Sequence, residues 1–381
     1  MQFKSPGCCA RISACMIAIF LSTCAFNARA PAADATVVTS EPAQDWNAKF
    51  AGKEGWVGGD AVYSVVLGPE RVAWLFGDTL IGAVKEGRRA GAVMVNNTVG
   101  VQIGRAKDSP IQFVTGPLKE GRPTSLFTPT DGNGWLWPQA AIRAGRSLFI
   151  FLPQIQRTKD SGAFGFREVR QVLGEIDNPD DPPQAWRMRQ HLVPFASFEP
   201  EKKRSWGSAL LLDGEHLFIY GYEESKKAIG NKRLIVARAP AAKLADFTSW
   251  RFRTSAGWSD MPADAAPLAK GVGAEFSVSR MPGGGGYILV TTENGLSDRI
   301  IGMFSDAPEG PWSAPVLLYT CPEMSKDKSV FSYSAKAHAW AAGENELLIS
   351  YCVNGWEFAR LFKDDDVYRP KFIRVKLRPR Q

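Results

Sequence analysis

The chain has 381 residues, of which 45% are hydrophobic and 22% are charged, and its formal net charge is +7. This composition is typical of a globular protein and excludes a disordered one. The basic residues are scattered, with small clusters at residues 202–204 and in the C-terminal tail. No nucleic-acid partner is therefore predicted.

The first 32 residues have the features of a secretory signal peptide. Lys4 and Arg11 precede an apolar run at residues 12–26, and the small residues at 30–32 provide a cleavage site. We therefore predict a signal peptide at residues 1–32 and a mature protein that is secreted or periplasmic.

The same leader bears on attachment to a membrane. Residues 21–24, Leu-Ser-Thr-Cys, resemble a lipoprotein box, although threonine is a poor residue before the cysteine. Lipid anchoring at Cys24 therefore stays open as an alternative. The apolar run is too short to span a bilayer comfortably, and no other transmembrane segment is predicted.

A fivefold repeat follows residues 33–55, which are predicted to form an N-terminal arm. Each copy contains a short apolar strand, a turn and a second apolar strand that ends in polar residues. The copies start 79, 69, 67 and 61 residues apart, at Asp60, Gln139, Ser208, Glu275 and Lys336. This spacing suits four strands per copy, and no amphipathic helices alternate with the strands. The sequence predicts an all-β fold, a five-bladed β-propeller with four-stranded antiparallel blades, as one domain at residues 56–381 that residues 366–381 help to close.

Hairpin geometry indicates where functional side chains collect. The start of the first strand and the end of the second strand lie at the same edge of an antiparallel hairpin. This rim should carry Asp60, Asp78 and Glu275, together with six polar residues predicted to bind substrate: Asn97, Gln139, Glu223, Lys336, His338 and Asn354. Trp137, Trp206 and Trp340 could stack on sugar rings or pack in the core.

Asp60 and Glu275 are the candidate catalytic pair. Each is an acid at the start of an otherwise apolar or small-residue strand, and burying a carboxylate is costly unless it is paired or used. Two acids facing one pocket are what glycoside hydrolysis requires. The structural alternative is that both carboxylates accept hydrogen bonds from backbone amides. Asp78 is predicted either to support this site or to bind neighbouring strand amides.

Metal and disulfide chemistry receive little support. The sequence has three histidines and no Cys/His metal spacing, so no metal ligands and no cofactor are predicted, although a central cation such as Ca²⁺ stays possible. The run at residues 364–366 resembles a calcium cluster only loosely. Cys321 and Cys352 could form a disulfide or remain two separate thiols.

Several motifs together resemble a known family. They are Trp56-Val57-Gly58-Gly59-Asp60, Leu75-Phe76-Gly77-Asp78-Thr79, Asn96-Asn97-Thr98, Glu275-Phe276-Ser277-Val278-Ser279, Gly310-Pro311-Trp312 and Tyr333-Ser334-Ala335-Lys336-Ala337-His338. In this order they resemble the family catalogued as domain of unknown function 4185. That family is similar to the five-bladed furanosidase propellers, which include arabinanases, invertases and levansucrases.

The resemblance implies an endo-D-arabinanase-like activity, with Asp60 as base or nucleophile and Glu275 as acid. A third acid is usual on a middle blade of those propellers, but Gln139 and Ser208 stand there in this sequence. We therefore expect a secreted glycoside hydrolase that acts on a furanose-containing or related polysaccharide or oligosaccharide. The alternatives are a non-catalytic glycan-binding propeller and a surface scaffold.

Overall fold

The computed structural model describes Gln2 and residues 36–378, apart from residues 107, 160–163, 200 and 226–229. Pro31–Gln381 forms one compact unit. The predicted signal peptide lies outside the described residues, apart from Gln2, and stays a prediction. Among the described residues, no helix has the length and apolar character needed to cross a membrane.

Strands account for most of the regular structure. The first ten are β1 (Val37–Pro42), β2 (Glu54–Gly59), β3 (Tyr63–Gly68), β4 (Arg71–Phe76), β5 (Thr79–Ala83), β6 (Val93–Val95), β7 (Thr98–Ile103), β8 (Ile111–Val114), β9 (Gly116–Lys119) and β10 (Arg122–Thr124). The next ten are β11 (Trp135–Leu136), β12 (Ala141–Ala144), β13 (Ser147–Arg157), β14 (Phe166–Ile176), β15 (Met188–Leu192), β16 (Ser197–Phe198), β17 (Lys202–Asp213), β18 (His216–Ser225), β19 (Lys232–Pro240) and β20 (Arg251–Arg253). They are followed by β21 (Trp258–Ser259), β22 (Ala269–Val272), β23 (Phe276–Arg280), β24 (Tyr287–Thr292), β25 (Arg299–Ser305), β26 (Val316–Thr320), β27 (Val330–Ala337), β28 (Glu346–Gly355) and β29 (Lys371–Leu377).

Helices in the described residues are short. The α-helices are α1 (Gln44–Lys49), α2 (Glu323–Lys326) and α3 (Arg360–Lys363). Turns of 3-10 helix occur at Pro183–Ala185, Ala241–Lys243, Phe247–Ser249, Pro262–Asp264 and Ala339–Ala341. The all-β prediction is therefore confirmed.

The larger antiparallel sheets follow the repeat. Sheet I has the order β3-β4-β7-β8; sheet II has β11-β13-β14-β15, with β12 also beside β13. Sheet III runs from β16 to β21 in sequence order, with β22 beside β19, and sheet IV is β23-β24-β25-β26. Sheet V has the order β27-β28-β29-β1, and two small sheets, β2-β5-β6 and β9-β10, stand beside these five.

Each of the five sheets contacts the next one along the chain. One strand of each sheet makes these contacts, in the order β3, β12, β17, β23 and β27. The hydroxyl of Ser334 on β27 donates to the carbonyl of Ala61, just before β3, at 3.2 Å, so sheet V returns to sheet I. Five hydrophobic clusters fill the spaces between successive sheets. Burial of these faces is the main force that holds the sheets together.

The N-terminal arm belongs to the last sheet rather than standing apart. Strand β1 pairs with β29 in antiparallel register, and the amide of Arg378 donates to the carbonyl of Thr36 at 2.9 Å. Trp46 on α1 packs against Trp74 of sheet I and Phe372 of sheet V, with ring centroids 5.8 and 5.9 Å away. The arm thus covers the seam between sheets V and I.

Candidate active site

Asp60 lies between the small sheet β2-β5-β6 and sheet I, where β2 ends and the chain turns toward β3. Its Oδ2 accepts a hydrogen bond from the hydroxyl of Tyr333 at 2.7 Å, and Tyr368 also donates to the carboxylate. Burial, and then the negative charges of Asp78 and Glu275, raise the pKa of Asp60 to about 8, although the two phenols oppose the rise. Asp60 therefore lies close enough to both Asp78 and Glu275 to feel their charges.

The backbone around Asp60 is strained. Ala61 and Val62 directly follow it and have φ values of 66° and 57°, while Ser334 and Tyr368 have φ values of 62° and 66°. Left-handed φ values cost side-chain-bearing residues about 1–3 kcal/mol each and cluster at functional sites. Four such residues next to one carboxylate indicate a geometry that the fold maintains at a cost.

Gly77 makes room for the same carboxylate. A Cβ atom at this position would stand 2.6 Å from Oδ1 of Asp60, well inside contact distance. The Gly77 amide also donates to the carbonyl of Asp60 at 3.1 Å. Glycine before Asp78 therefore lets the turns that carry the two acids pack directly together.

Asp78 follows β4 and faces the same pocket. Its Oδ1 accepts hydrogen bonds from the side chains of Asn96 at 2.9 Å and Trp137 at 2.8 Å. Burial raises the pKa of Asp78 to about 6, although these two donors and the charge of Arg157 oppose the rise. Asp78 thus touches both sheet I and sheet II and lies beside Asp60.

Glu275 approaches from sheet IV, directly before β23. Its Oε1 lies 3.6 Å from Nζ of Lys336, and its side chain is 20% exposed. The Lys336 ammonium also donates to the carbonyl of Ala61 and to Oγ of Ser334. Lys336 therefore ties sheet V to the residue that follows Asp60 and to Glu275.

Tyr63 and Lys336 form a buried contact next to the acids. The Lys336 ammonium lies 4.4 Å from the centre of the Tyr63 ring, and the Tyr63 hydroxyl donates to the carbonyl of Ser208 at 3.1 Å. Both side chains are buried, whereas Asp60, Asp78 and Glu275 stay partly exposed. The three acids are therefore more exposed than the Tyr63–Lys336 contact, which connects sheets I, III and V.

Two predicted substrate-binding residues are enclosed by the protein. His338 is 2% exposed, its Nδ1 bonds to Ser64 and its Nε2 bonds to Ser350, and burial lowers its pKa to about 3. Asn97 is fully buried and bonds to the backbone of Phe127 and Leu136. The ring of His338 and the amide of Asn97 are thus used in holding neighbouring segments.

Gln139 and Glu223 are also buried. The side chain of Gln139 accepts from Gln171 at 3.5 Å. Glu223 forms ion pairs with Lys202, Arg204 and Arg233. Burial alone would raise the pKa of Glu223, but the hydrogen bonds from Lys202 and Arg204 hold it below its usual range. Neither residue joins the three acids.

Four residues that contact the acids were not among the predicted site residues. Tyr333 and Tyr368 hold Asp60, whereas Asn96 and Trp137 hold Asp78. Burial and the charge of Asp60 raise the pKa of both phenols well above the usual value, so both remain donors. Asn354, which was predicted to bind substrate, lies beside these residues, because its Nδ2 is 3.5 Å from the Tyr333 hydroxyl.

Arg89 fixes the segment that carries Tyr368. Its guanidinium is 1% exposed and donates five hydrogen bonds of 2.5 to 3.0 Å to backbone carbonyls of Val57, Leu361, Asp364, Asp365 and Val367. The carbonyl of Tyr368 in turn accepts from the amide of Gly59, next to Asp60, at 2.9 Å. Arg89 is therefore a structural anchor for one side of the site.

Metal ligands and a disulfide are not found in the part of the chain that the structure describes. No group of three or more His, Cys, Asp or Glu side chains there is placed to hold an ion. In the run at residues 364–366, Asp365 pairs with Lys53 and Arg369. Cys321 and Cys352 are separate buried thiols.

A family match covers most of the chain. Residues 43–377 match the family described as Domain of unknown function (DUF5005). The chain belongs to the DUF5005 family. The family expected from the sequence motifs, domain of unknown function 4185, is not confirmed. No curated protein matches the sequence.

One solved structure shares the fold of this DUF5005 protein, and others are similar to it. A "putative hydrolase" from Bacteroides ovatus ATCC 8483 superposes with a TM-score of 0.69 and 19% identity, over 88% of this chain and 90% of that one. A xylan β-1,4-xylosidase from Bacillus halodurans C-125 superposes with a TM-score of 0.48 and 12% identity, over 80% and 50%. An α-L-arabinofuranosidase from Podospora anserina, in complex with cellotriose, gives 0.45 and 10%, over 84% and 92%. At these identities the likeness concerns the fold alone.

Proposed function

We propose that this DUF5005 protein is a glycoside hydrolase that works with two carboxylates. The observation that carries the proposal is that Asp60, beside sheet I, lies close to Asp78 and to Glu275 of sheet IV, and that all three carboxylates are partly exposed. Burial and the neighbouring negative charges raise the pKa of Asp60, and neighbouring carboxylates with different proton affinities are what acid and base roles require.

The architecture that we propose is a five-bladed β-propeller, with sheets I to V as its blades. The successive contacts among β3, β12, β17, β23 and β27 and the five apolar clusters between the sheets support this arrangement. In such a ring the rim residues of all blades face a single funnel. We also propose that the mature protein is secreted or periplasmic, where a polysaccharide substrate would be met.

The proposed roles follow the positions of the acids. Glu275 protonates the departing oxygen, Asp60 activates water or attacks the sugar, and Asp78 tunes Asp60 by its charge. The phenols of Tyr333 and Tyr368 orient the Asp60 carboxylate. The substrate class that we propose is a furanose-containing or related polysaccharide, and the motif resemblance supports a D-arabinan.

A glycan screen tests the activity. The purified protein would be incubated with D-arabinan, L-arabinan, arabinoxylan, xylan, fructans and galactans, and released reducing sugar would be measured. We expect release from at least one furanose-containing polymer and loss of that release in Glu275→Gln. Absence of product from every polymer over long incubation would contradict the proposal.

The acid role of Glu275 has its own signature. A leaving group that is already a weak base departs without protonation, so Glu275→Gln should retain activity on nitrophenyl furanosides while losing about 10²-fold or more on natural linkages. The measurement is kcat/KM on both substrate types. Equal losses on both would remove Glu275 from the acid role.

The pH dependence tests the role of Asp60. A base must be ionised, so the limb on which kcat/KM rises with pH should report the pKa of Asp60, about 8, while loss of the proton from the acid should give a separate falling limb. Asp78→Asn removes a negative charge that raises this pKa, so the rising limb should move down by about one pH unit. A limb that falls through the same pKa would instead assign the proton-donor role to Asp60.

One observation favours a second candidate function, glycan binding without hydrolysis. The ammonium of Lys336 lies 3.6 Å from Glu275, and an ion-paired carboxylate is a poor proton donor. Binding isotherms for the same polymers, with no product after long incubation, would establish this alternative. A saturable change in tryptophan fluorescence is a suitable readout, because Trp137 donates to Asp78 in the pocket.

A further inference from the structure

A chain of aromatic side chains runs over the rim beside Asp60 and Asp78. It begins with Trp137, whose ring lies 4.7 Å from that of Phe166 at the start of β14. Phe164, two residues earlier on the same hairpin of sheet II, lies 5.8 Å from Phe331 and 6.4 Å from Trp356, both of sheet V. Sheets II and V are the two neighbours of sheet I, so these contacts bridge the edge of sheet I next to Asp60 and Asp78.

Both ends of this aromatic bridge are attached to the catalytic candidates. Trp137 donates to Asp78, and Tyr333, which donates to Asp60, lies 5.5 Å from Phe331. The bridge therefore adjoins the two carboxylates at its ends, and its two groups of rings are joined through the backbone at residues 164–166.

The middle of the bridge exposes apolar rings to solvent. Phe164 is 50% exposed and Trp356 is 47% exposed, whereas Phe331, against which both pack, is almost fully buried. Exposed apolar surface next to polar residues is characteristic of ligand-binding grooves. Rigid aromatic rings offer a large contact area for flat apolar faces, such as the C–H face of a sugar ring.

Distance separates this surface from the bond that would be cleaved. Two ring-to-ring steps, of 5.5 and 5.8 Å, lead from Tyr333 at Asp60 to Phe164. A sugar ring held by the acids would therefore not be the ring that contacts Phe164 and Trp356. An adjoining unit of the same glycan chain would reach them.

We propose that Phe164 and Trp356 form a distal sugar-binding subsite that stacks on a unit of the substrate chain next to the unit being cleaved. The proposal rests on the glycoside hydrolase function and adds a substrate requirement. The preferred substrate is an oligosaccharide or polysaccharide chain, and a single sugar with a small leaving group cannot use the subsite.

The test compares Phe164→Ala and Trp356→Ala with Phe358→Ala. Phe358 is a matched control because it is 47% exposed and its described ring contact is with Phe362, outside the bridge. Each variant would be assayed on arabino-oligosaccharides of two to six units and on a nitrophenyl arabinofuranoside. We expect KM for the longer oligosaccharides to rise about three- to tenfold in the two bridge variants. Their kcat, and both constants on the nitrophenyl furanoside, should stay within twofold of the parent.

Two results would overturn the subsite. One is an unchanged KM for all chain lengths in both bridge variants, which would leave the hydrolase function intact. The other is an equal change in Phe358→Ala. If no glycan is hydrolysed, titration of the same oligosaccharides by tryptophan fluorescence still decides the matter. In that titration, weaker binding by Phe164→Ala together with unchanged binding by Phe358→Ala supports the subsite. Equal binding by all variants refutes it.

Discussion

Replacing Asp60 with asparagine should lower kcat on the hydrolysed glycan by about 10³-fold while the protein stays folded. Asparagine preserves the shape of the side chain and can still accept from Tyr333, but it can neither take up a proton nor attack a sugar. The measurement is kcat with the substrate that the glycan screen identifies. Wild-type activity in this variant would remove Asp60 from the mechanism.

The same variant should gain stability at alkaline pH. The folded-state pKa of Asp60, about 8, lies above the ordinary value of about 4. Stability contributed by the protonated carboxyl is therefore complete below pH 4 or so and is lost as the pH rises through about 8. Asparagine cannot ionise, so the melting temperature of Asp60→Asn relative to wild type should increase between pH 5 and 9.

Asp213 provides the control for both measurements. It too accepts a tyrosine hydroxyl at 2.7 Å, from Tyr287, but it lies at the β17–β18 turn, at the opposite end of the strands from the rim. Asp213→Asn should leave kcat within twofold and should show no alkaline gain in melting temperature. A loss of activity that matches that of Asp60→Asn would indicate a general effect of removing a carboxylate.

Replacing Arg89 with methionine should lower the free energy of unfolding by about 3–5 kcal/mol. Methionine fills similar volume but leaves the buried carbonyls of Val57, Leu361 and Val367 without the guanidinium donor, and each buried unpaired polar group is costly. Chemical denaturation monitored by tryptophan fluorescence measures the change. The folded fraction should also lose activity, because the segment that Arg89 holds carries Tyr368.

Two further variants, Arg105→Met and Arg89→Lys, serve as controls for this test. Arg105 is exposed and makes one bond to the carbonyl of Gly68 at 3.2 Å, so Arg105→Met should change stability by no more than about 0.5 kcal/mol. Arg89→Lys keeps the charge but has three donors instead of five, and it should fall between wild type and Arg89→Met. Equal stability of Arg89→Met and Arg105→Met would refute the anchor role.

Strand periodicity made the acid cluster predictable, because hairpin edges bring Asp60, Asp78 and Glu275 to one rim wherever the fold is cyclic. The same periodicity could not separate Asn96 from Asn97. Neighbouring residues face opposite sides, and only the register decides that Asn96 meets Asp78 while Asn97 turns into the core.

His338 shows where alternation fails. It lies two positions after Lys336, which predicts a shared face, but β27 ends at Ala337, so the alternation of the strand does not extend to His338. Strand position predicted a rim site for Glu223, but its cross-strand partner Arg204 forms an ion pair with it. Tyr368 lies outside the strand repeat, so no periodic signal pointed to it.

Sheet V has a consequence for biosynthesis, because it joins strands from the two ends of the fold. Val37 pairs with Leu377, so this ladder cannot form until residue 377 has left the ribosome. Closing so long a loop is entropically demanding and slows folding. Tyr333 and Tyr368 are also synthesised long after Asp60, so the nascent chain acquires its clamp on Asp60 only after translation has passed residue 368.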